Sequence, residues 1–191
     1  MNKQKVNLHF GIITVFILLA ALSRLLPHPP NFTPIGGMAL FGAAYFSKKY
    51  WSFLIPFAAL WISDLFLNNI VYANMYPDYY TGFVWFTQGG AWIYGAFALI
   101  ILLGMLTLRN IKTQNIVLSS VAASTIFFVL TNIGVWLGSG MYAKTWAGLT
   151  TCFSMAIPYF WNTLGGDLFF SAVLFGGYAL VQSRFLAPQN A

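Results

Sequence analysis

Few side chains in this sequence could do chemistry, and they are unevenly placed. The carboxylates are Asp64, Asp78 and Asp167, the imidazoles are His9 and His28, and Cys152 is the single thiol. The densest stretch is "RLLPHPPNFTPIGG", Arg24 to Gly37, which sets an arginine, a histidine, an asparagine and half of the chain's eight prolines inside an apolar sequence. Such residues, joined by Gln88, Asn132 and Asn162, suit the binding of a small polar solute. A guanidinium and a carboxylate orient polar groups, side-chain amides donate and accept, and aromatic neighbours stack on a flat ring.

The candidate substrate-binding residues are therefore Arg24, His28, Asn31, Asp64, Gln88, Asn132, Asn162 and Asp167. An unpaired charge at depth in a membrane is costly, so Arg24 is expected to pair with Asp64 or Asp167. The same pairing would equally serve to hold helices together. The segment "NTLGGD" would let a ligand and the backbone approach closely at Gly165 and Gly166. His28 also reads as a solvated loop histidine.

Enzyme chemistry finds little support, and no catalytic residue, metal or cofactor is expected. There is no G-x-x-x-x-G-K-[ST] for nucleotide phosphates and no H-E-x-x-H. His9 and His28 fall at opposite ends of one helix, which excludes an intramembrane pair holding zinc or haem. The nearest approach to an intramembrane serine protease, "LGSGMY" around Ser139, has Leu137 where G-x-S-G requires glycine.

The elements that must position these residues follow from composition. At 59% hydrophobic and 6% charged residues, with a mean hydropathy of +0.74, the chain has far too little charge for a soluble surface, where roughly a quarter of residues are charged. It reads as one all-α integral membrane domain over residues 1–191, a bundle of about six helices at about 8–26, 35–47, 50–68, 83–107, 116–137 and 150–183. The excess of cations comes singly or in pairs between apolar runs, which makes no stripe for nucleic acid. With the N- and C-termini inside, Lys3, Lys5, Lys48, Lys49, Arg109, Lys112 and Arg184 lie inside and only Arg24 and Lys144 outside, the bias expected of a cytoplasmic membrane. The start "MNKQK" before "GIITVFILLAALS" also has the basic and apolar regions of a cleaved secretory signal. The later runs make a membrane protein without one, so the segment is read as helix 1.

The polar stretch then acquires a place. Thr33 is expected as N-cap and Pro34 as first residue of helix 2. From Pro34 to Lys48-Lys49 that helix would span roughly 21 Å at 1.5 Å per residue, short of a hydrocarbon core of about 30 Å. Residues Pro27 to Thr33 must make up the remainder, and irregular backbone at that depth requires protein cover or a watery cavity. An ordinary loop with a tilted short helix is the alternative. All carboxylates fall toward the outer side, whereas the inner halves are apolar apart from Ser119, Ser120, Ser124 and Thr125 on helix 5, read as helix-packing contacts. Polar groups that stop halfway do not make an ion path. They suit a membrane-embedded protein that captures a solute in an outward-facing pocket. The alternative is a structural subunit of a larger complex with no small-molecule ligand.

The stretches "LSRLLPHPPNFTPIGGMALFGAAYF", "LWISDLFLN" and "WAGLTTCFSMAIPYFWNTLGGDLFFSAVLFGGYAL" resemble a bacterial family of uncharacterised integral membrane proteins assigned to transport. That family in turn resembles the substrate-binding S components of energy-coupling-factor (ECF) transporters. The resemblance implies a six-helix protein of the bacterial inner membrane that takes up a vitamin or related micronutrient. It also implies a transmembrane coupling subunit and two ATPases as partners. S components carry A-x-x-x-A on helix 1 for that subunit. Here Ala20 and Ala21 have no small residue four positions on, and the Ala39–Ala43 pair falls on helix 2.

Overall fold

Where no water is at hand, backbone amides must be satisfied internally, and helices do this within one segment. The computed structural model describes residues 3–186, all helix and turn, with no strand among the described residues. Residues 1–2 and 187–191 of the expected domain lie outside the described residues. The helices are α1 (Lys3–Ser23), α2 (Ile35–Tyr45), α3 (Lys49–Phe66), α4 (Gly90–Thr107), α5 (Thr113–Gly138) and α6 (Trp146–Val181). A π-helical turn, Leu67–Tyr72, and a last short turn, Ala73–Met75, prolong α3; a second π turn, Gln182–Leu186, prolongs α6. Four helices, Lys49–Met75, Gly90–Thr107, Thr113–Gly138 and Trp146–Arg184, are long and apolar enough to cross a membrane.

Several boundaries differ from the sequence expectation. Helix 4 begins at Gly90 and not near 83, because Gly89 at its N-cap takes a left-handed φ of 72° that breaks any helix running in from Phe83. Gln88 therefore sits in the loop. Helix 6 starts four residues earlier than expected, since Thr145 caps it by accepting a hydrogen bond from the Gly148 amide at 3.2 Å. Thr33 does not cap α2. Pro34 takes the N-cap position, with no side-chain cap of its own, and the helix starts at Ile35.

The shortest helix is the central one. Residues Ile35 to Ala43 are all buried, and α2 packs against each of the other five helices. A helix apolar on every side has no face to offer water, so it occupies the middle. Its 11 residues extend only about 16 Å. The α1–α2, α3–α4 and α5–α6 connections gather at the end that carries Arg24, and the α2–α3 and α4–α5 connections at the end that carries Lys48.

The start of α2 lies against the interior of α6, well away from either end of that 36-residue helix. Gly166 of α6 makes the approach possible, since a Cβ there would stand 2.8 Å from the Thr33 nitrogen and 2.9 Å from its carbonyl oxygen. The close approach expected at Gly165-Gly166 is thus to the chain's own backbone. The Phe32 ring packs between Phe169 and Phe170, with centroids at 5.8 and 5.9 Å. One substituted methyl therefore separates two neighbouring glycines. Gly166→Ala is expected to destabilise the protein by about 1–3 kcal/mol through overpacking. Gly165→Ala, whose Cβ would meet only the edge of the Phe32 ring at 3.6 Å, should be neutral or slightly stabilising. Thermal unfolding in detergent reads both, and equal midpoints for the two variants would contradict this packing.

Candidate functional site

A cavity of about 760 Å³ opens at the Arg24 end, within the usual range of small-molecule sites. Its walls are the polar segment from Arg24 to Ile35, the π turn of α3, the beginning of α4 and Phe127 of α5. Each wall has a local cause. Asn31 sits at φ 63° after Pro30, and the Phe32 amide closes the turn by donating to the Pro29 carbonyl at 3.0 Å. Proline second and a left-handed asparagine third are what such a tight turn asks for. From α6, the Asn162 side-chain amide donates to the Pro30 carbonyl at 2.9 Å and fixes this turn against the bundle.

On the opposite wall, the π turn widens the helix at Leu67 and Asn68, a distortion often found beside functional sites. Asn68, only 1% exposed, donates to Thr87 Oγ1 at 2.9 Å. Asn69 clamps the loop twice, donating to the Val84 carbonyl at 2.9 Å and accepting from the Val84 amide at 2.7 Å. The loop before α4 is thereby tied to the cavity wall.

Charge enters through one pair. Arg24 Nη2 lies 2.7 Å from Asp64 Oδ1, and both side chains are nearly buried. Asp64 Oδ2 accepts from the Tyr94 hydroxyl at 2.9 Å. Arg24 Nη1 donates to the Ser63 hydroxyl and, at 3.4 Å, to the Leu60 carbonyl. Arg24 Nε is buried and has no partner. Of the two carboxylates open as partners, Asp64 is the one that Arg24 takes, which joins the end of α1 to α3 and α4.

Of the eight candidate residues, Arg24, His28, Asn31 and Asp64 line this cavity. His28 sets its ring nitrogens against the carbonyls of Pro29, at 2.9 Å, and Arg24, at 3.2 Å. Asn162 acts from behind, through Pro30. The remaining three are elsewhere. Gln88 accepts from the Tyr79 hydroxyl in the loop, outside the cavity walls. Asn132 donates to Phe128 in its own helix, its carbonyl facing the Cys152 thiol at 3.6 Å. Asp167 is 2% exposed in the bundle core, where Oδ1 accepts from the Gly36 amide at 2.9 Å and Oδ2 from Ser124 at 2.7 Å. It lies deeper than the outer half of the helix in which it was expected, because it is level with the start of α2.

Asn68, Thr87 and Thr33 line the cavity and were not among the candidates. Asp64 and Asn68 are spaced i, i+4, which places them on one helix face, so that spacing was a usable signal. Nothing in the sequence around Thr87 marks it. The serines of α5 make interhelical contacts as expected: Ser119 with Thr107 at 2.7 Å, Ser120 with Ser171 at 2.9 Å, and Ser124 with Asp167. Thr125 bonds only its own helix, at Val121.

Removing one half of a buried ion pair strands the other charge. Asp64→Asn is expected to destabilise the fold by about 3–5 kcal/mol, whereas Arg24→Met with Asp64→Leu, which removes both charges, should recover most of that loss. Unfolding midpoints of the single and double variants in the same detergent test the coupling. Additive losses would mean that the two side chains do not interact.

Comparison with known proteins matches the chain to a family model. No curated protein and no solved structure matches the chain. The matching family model carries the description "Family of unknown function (DUF6580)", and since it spans residues 4–190 the chain belongs to that family.

Proposed function

We propose that the chain is a multi-pass protein of a bacterial cytoplasmic membrane, with six crossings and both termini in the cytoplasm, that captures a small polar solute in the Arg24-end cavity for uptake. The observation that carries this reading is the cavity of about 760 Å³, of small-molecule size and walled by the ion pair Arg24–Asp64 together with Asn31, Asn68 and Thr87. The amides of Asn31 and Asn68 and the hydroxyl of Thr87 supply further donors and acceptors around the same space.

The sequence resemblance to S components of vitamin transporters agrees with capture from outside. It supports an ATPase-coupled complex less well. Ala39 and Ala43, the small pair with the expected spacing, are buried in the bundle core and are not available to a coupling subunit. The reading adopted is therefore capture, without an assigned ATPase module.

One observation favours an assembly subunit instead. Both oxygens of Asp64 and both of Asp167 are already taken by donors of the chain itself. The two readings separate in one experiment: mass spectrometry of the small molecules retained by protein purified in mild detergent from its native host. Capture predicts a stoichiometric solute in the wild type that is absent from the folded Arg24→Met/Asp64→Leu double variant. Asn31→Gly, which keeps the turn and removes the amide, should weaken solute binding by about 5- to 10-fold, the worth of one hydrogen bond. No retained or titratable solute, together with a stoichiometric protein partner, would replace capture with assembly.

A further inference from the structure

The Lys48 end of the bundle holds a second cavity, of about 600 Å³, at the meeting of α1, the α2–α3 connection and the end of α6. Its polar lining comes from Asn7, His9, Tyr45, Ser47, Lys48, Tyr178 and Gln182. None of the chain's three aspartates lines it. The only ion pair among the described residues is Arg24 with Asp64, so the Lys48 ammonium, which lies 5.9 Å from the centroid of the Tyr50 ring, has no counter-charge among them. His9 Nδ1 lies 2.7 Å from the Tyr178 hydroxyl, which fixes the imidazole at the cavity wall. A pocket with cationic and neutral polar groups and no acid fits an anion.

An apolar groove of about 420 Å³ runs beside it along α1. Leu8, Gly11, Ile12, Val15 and Phe16 form it with Val181 of α6, and a Cβ built at Gly11 would meet nothing within 4 Å. Asn7 is a wall of both spaces, and the adjacent residues Val181 and Gln182 line one each. An acid-free polar cavity beside an apolar groove has the form of an amphiphile, headgroup and tail.

We propose that this pair of spaces binds one anionic phospholipid, its phosphate held by Lys48 and His9 and an acyl chain lying in the groove beside Gly11. The site is at the end opposite the solute cavity and does not depend on the capture reading. A soluble phosphate would use the same headgroup chemistry but would have no need of the groove.

Native mass spectrometry of the full-length protein tests this, with dioleoylphosphatidylglycerol, dioleoylphosphatidylcholine and glycerol 1-phosphate as separate probes. The expected result is a single phosphatidylglycerol adduct, favoured over phosphatidylcholine by about fivefold and weakened by about fivefold in Lys48→Gln, the effect of one cation on an anionic lipid. Gly11→Leu, which fills the groove and leaves the cavity untouched, should weaken the lipid to a similar degree. Lys112→Gln, an exposed cation outside both spaces, should leave it unchanged. Lys48 is exposed, so its variant is expected to fold, and an unfolding midpoint verifies that for each protein. Equal retention of the two lipids, or an equal fall in Lys112→Gln, would overturn the site. Glycerol 1-phosphate held as tightly as the lipid, with Gly11→Leu silent, would overturn the lipid assignment in favour of a soluble phosphate.

Discussion

A helix that begins inside an apolar bundle presents its first amides to surroundings with no water, and α2 begins in that way. The first four amides of any helix lack an intrahelical partner. At the start of α2, Pro34 contributes no N–H and Asp167 accepts from Gly36, so a carboxylate from another helix supplies the cap. The carboxyl oxygen that accepts this bond also lies at the positive end of the helix dipole. Ser124 occupies the second oxygen, which ties α5 into the same point. Three helices thus meet at one carboxylate, and a Cβ on Gly36 would stand 2.4 Å from it. The glycine is required there because the acid and the amide must share that space.

Much of the cavity's geometry follows from this cap. With α2 starting only at the level of Asp167, the bundle beyond it on the Arg24 side lacks a central helix, and the Arg24–Pro34 segment covers only part of the space. Phe32 and Thr33 pack into α6, while Leu26 to Asn31 stay exposed. What is left between this segment and α3 is the cavity. The π turn at Leu67–Tyr72 bounds it, and the bonds from Asn68 and Asn69 hold the α3–α4 connection beside it. Arg24 then has little choice of partner. It leaves α1 on the α3 side, so it reaches Asp64 and Ser63, while Asp167 is already saturated behind Ile35.

The helical class and the number of helices were legible because a composition this apolar leaves few alternatives. The shortness of helix 2 was legible too, from Pro34 and the Lys48-Lys49 pair alone. What the sequence does not encode locally is which polar residue answers which across the bundle. Thr33 looked like a cap because capping is normally done by the neighbouring residue, but Asp167 does it from 131 positions away. Asn132 looked like a pocket residue because it is a polar group in an apolar run, but it turns back on its own helix at Phe128. Gln88 was lost to a single backbone angle at Gly89, which a glycine pair hints at without fixing where the helix starts. Arg24 and Asp64 were recoverable because a lone arginine at depth needs an acid and the chain has only three.

The position of α2 also bears on how a captured solute would leave. Below the cavity lie Ile35, Met38, Ala39, Leu40 and Phe41, every one of them buried and apolar. The polar contacts that continue past Asp167 are short links between neighbouring helices, Ser120 with Ser171 and Ser119 with Thr107, and each is closed on itself. A solute moving toward the Lys48 end would have to displace α2, and with it the Asp167 bond to Gly36 that holds three helices together. The connection from Tyr76 to Gly89 is held mainly by hydrogen bonds at its borders, Asn69 with Val84, Asn68 with Thr87 and Trp61 with the Trp85 carbonyl. Such bonds exchange with water at modest net cost, about 1 kcal/mol each, whereas breaking the core cap leaves a buried carboxylate short of a donor. On the capture reading, the solute therefore enters and leaves the cavity on the Arg24 side of the bundle. Delivery to the other side of the membrane would then require the whole bundle to reorient, with α2 and its cap kept intact.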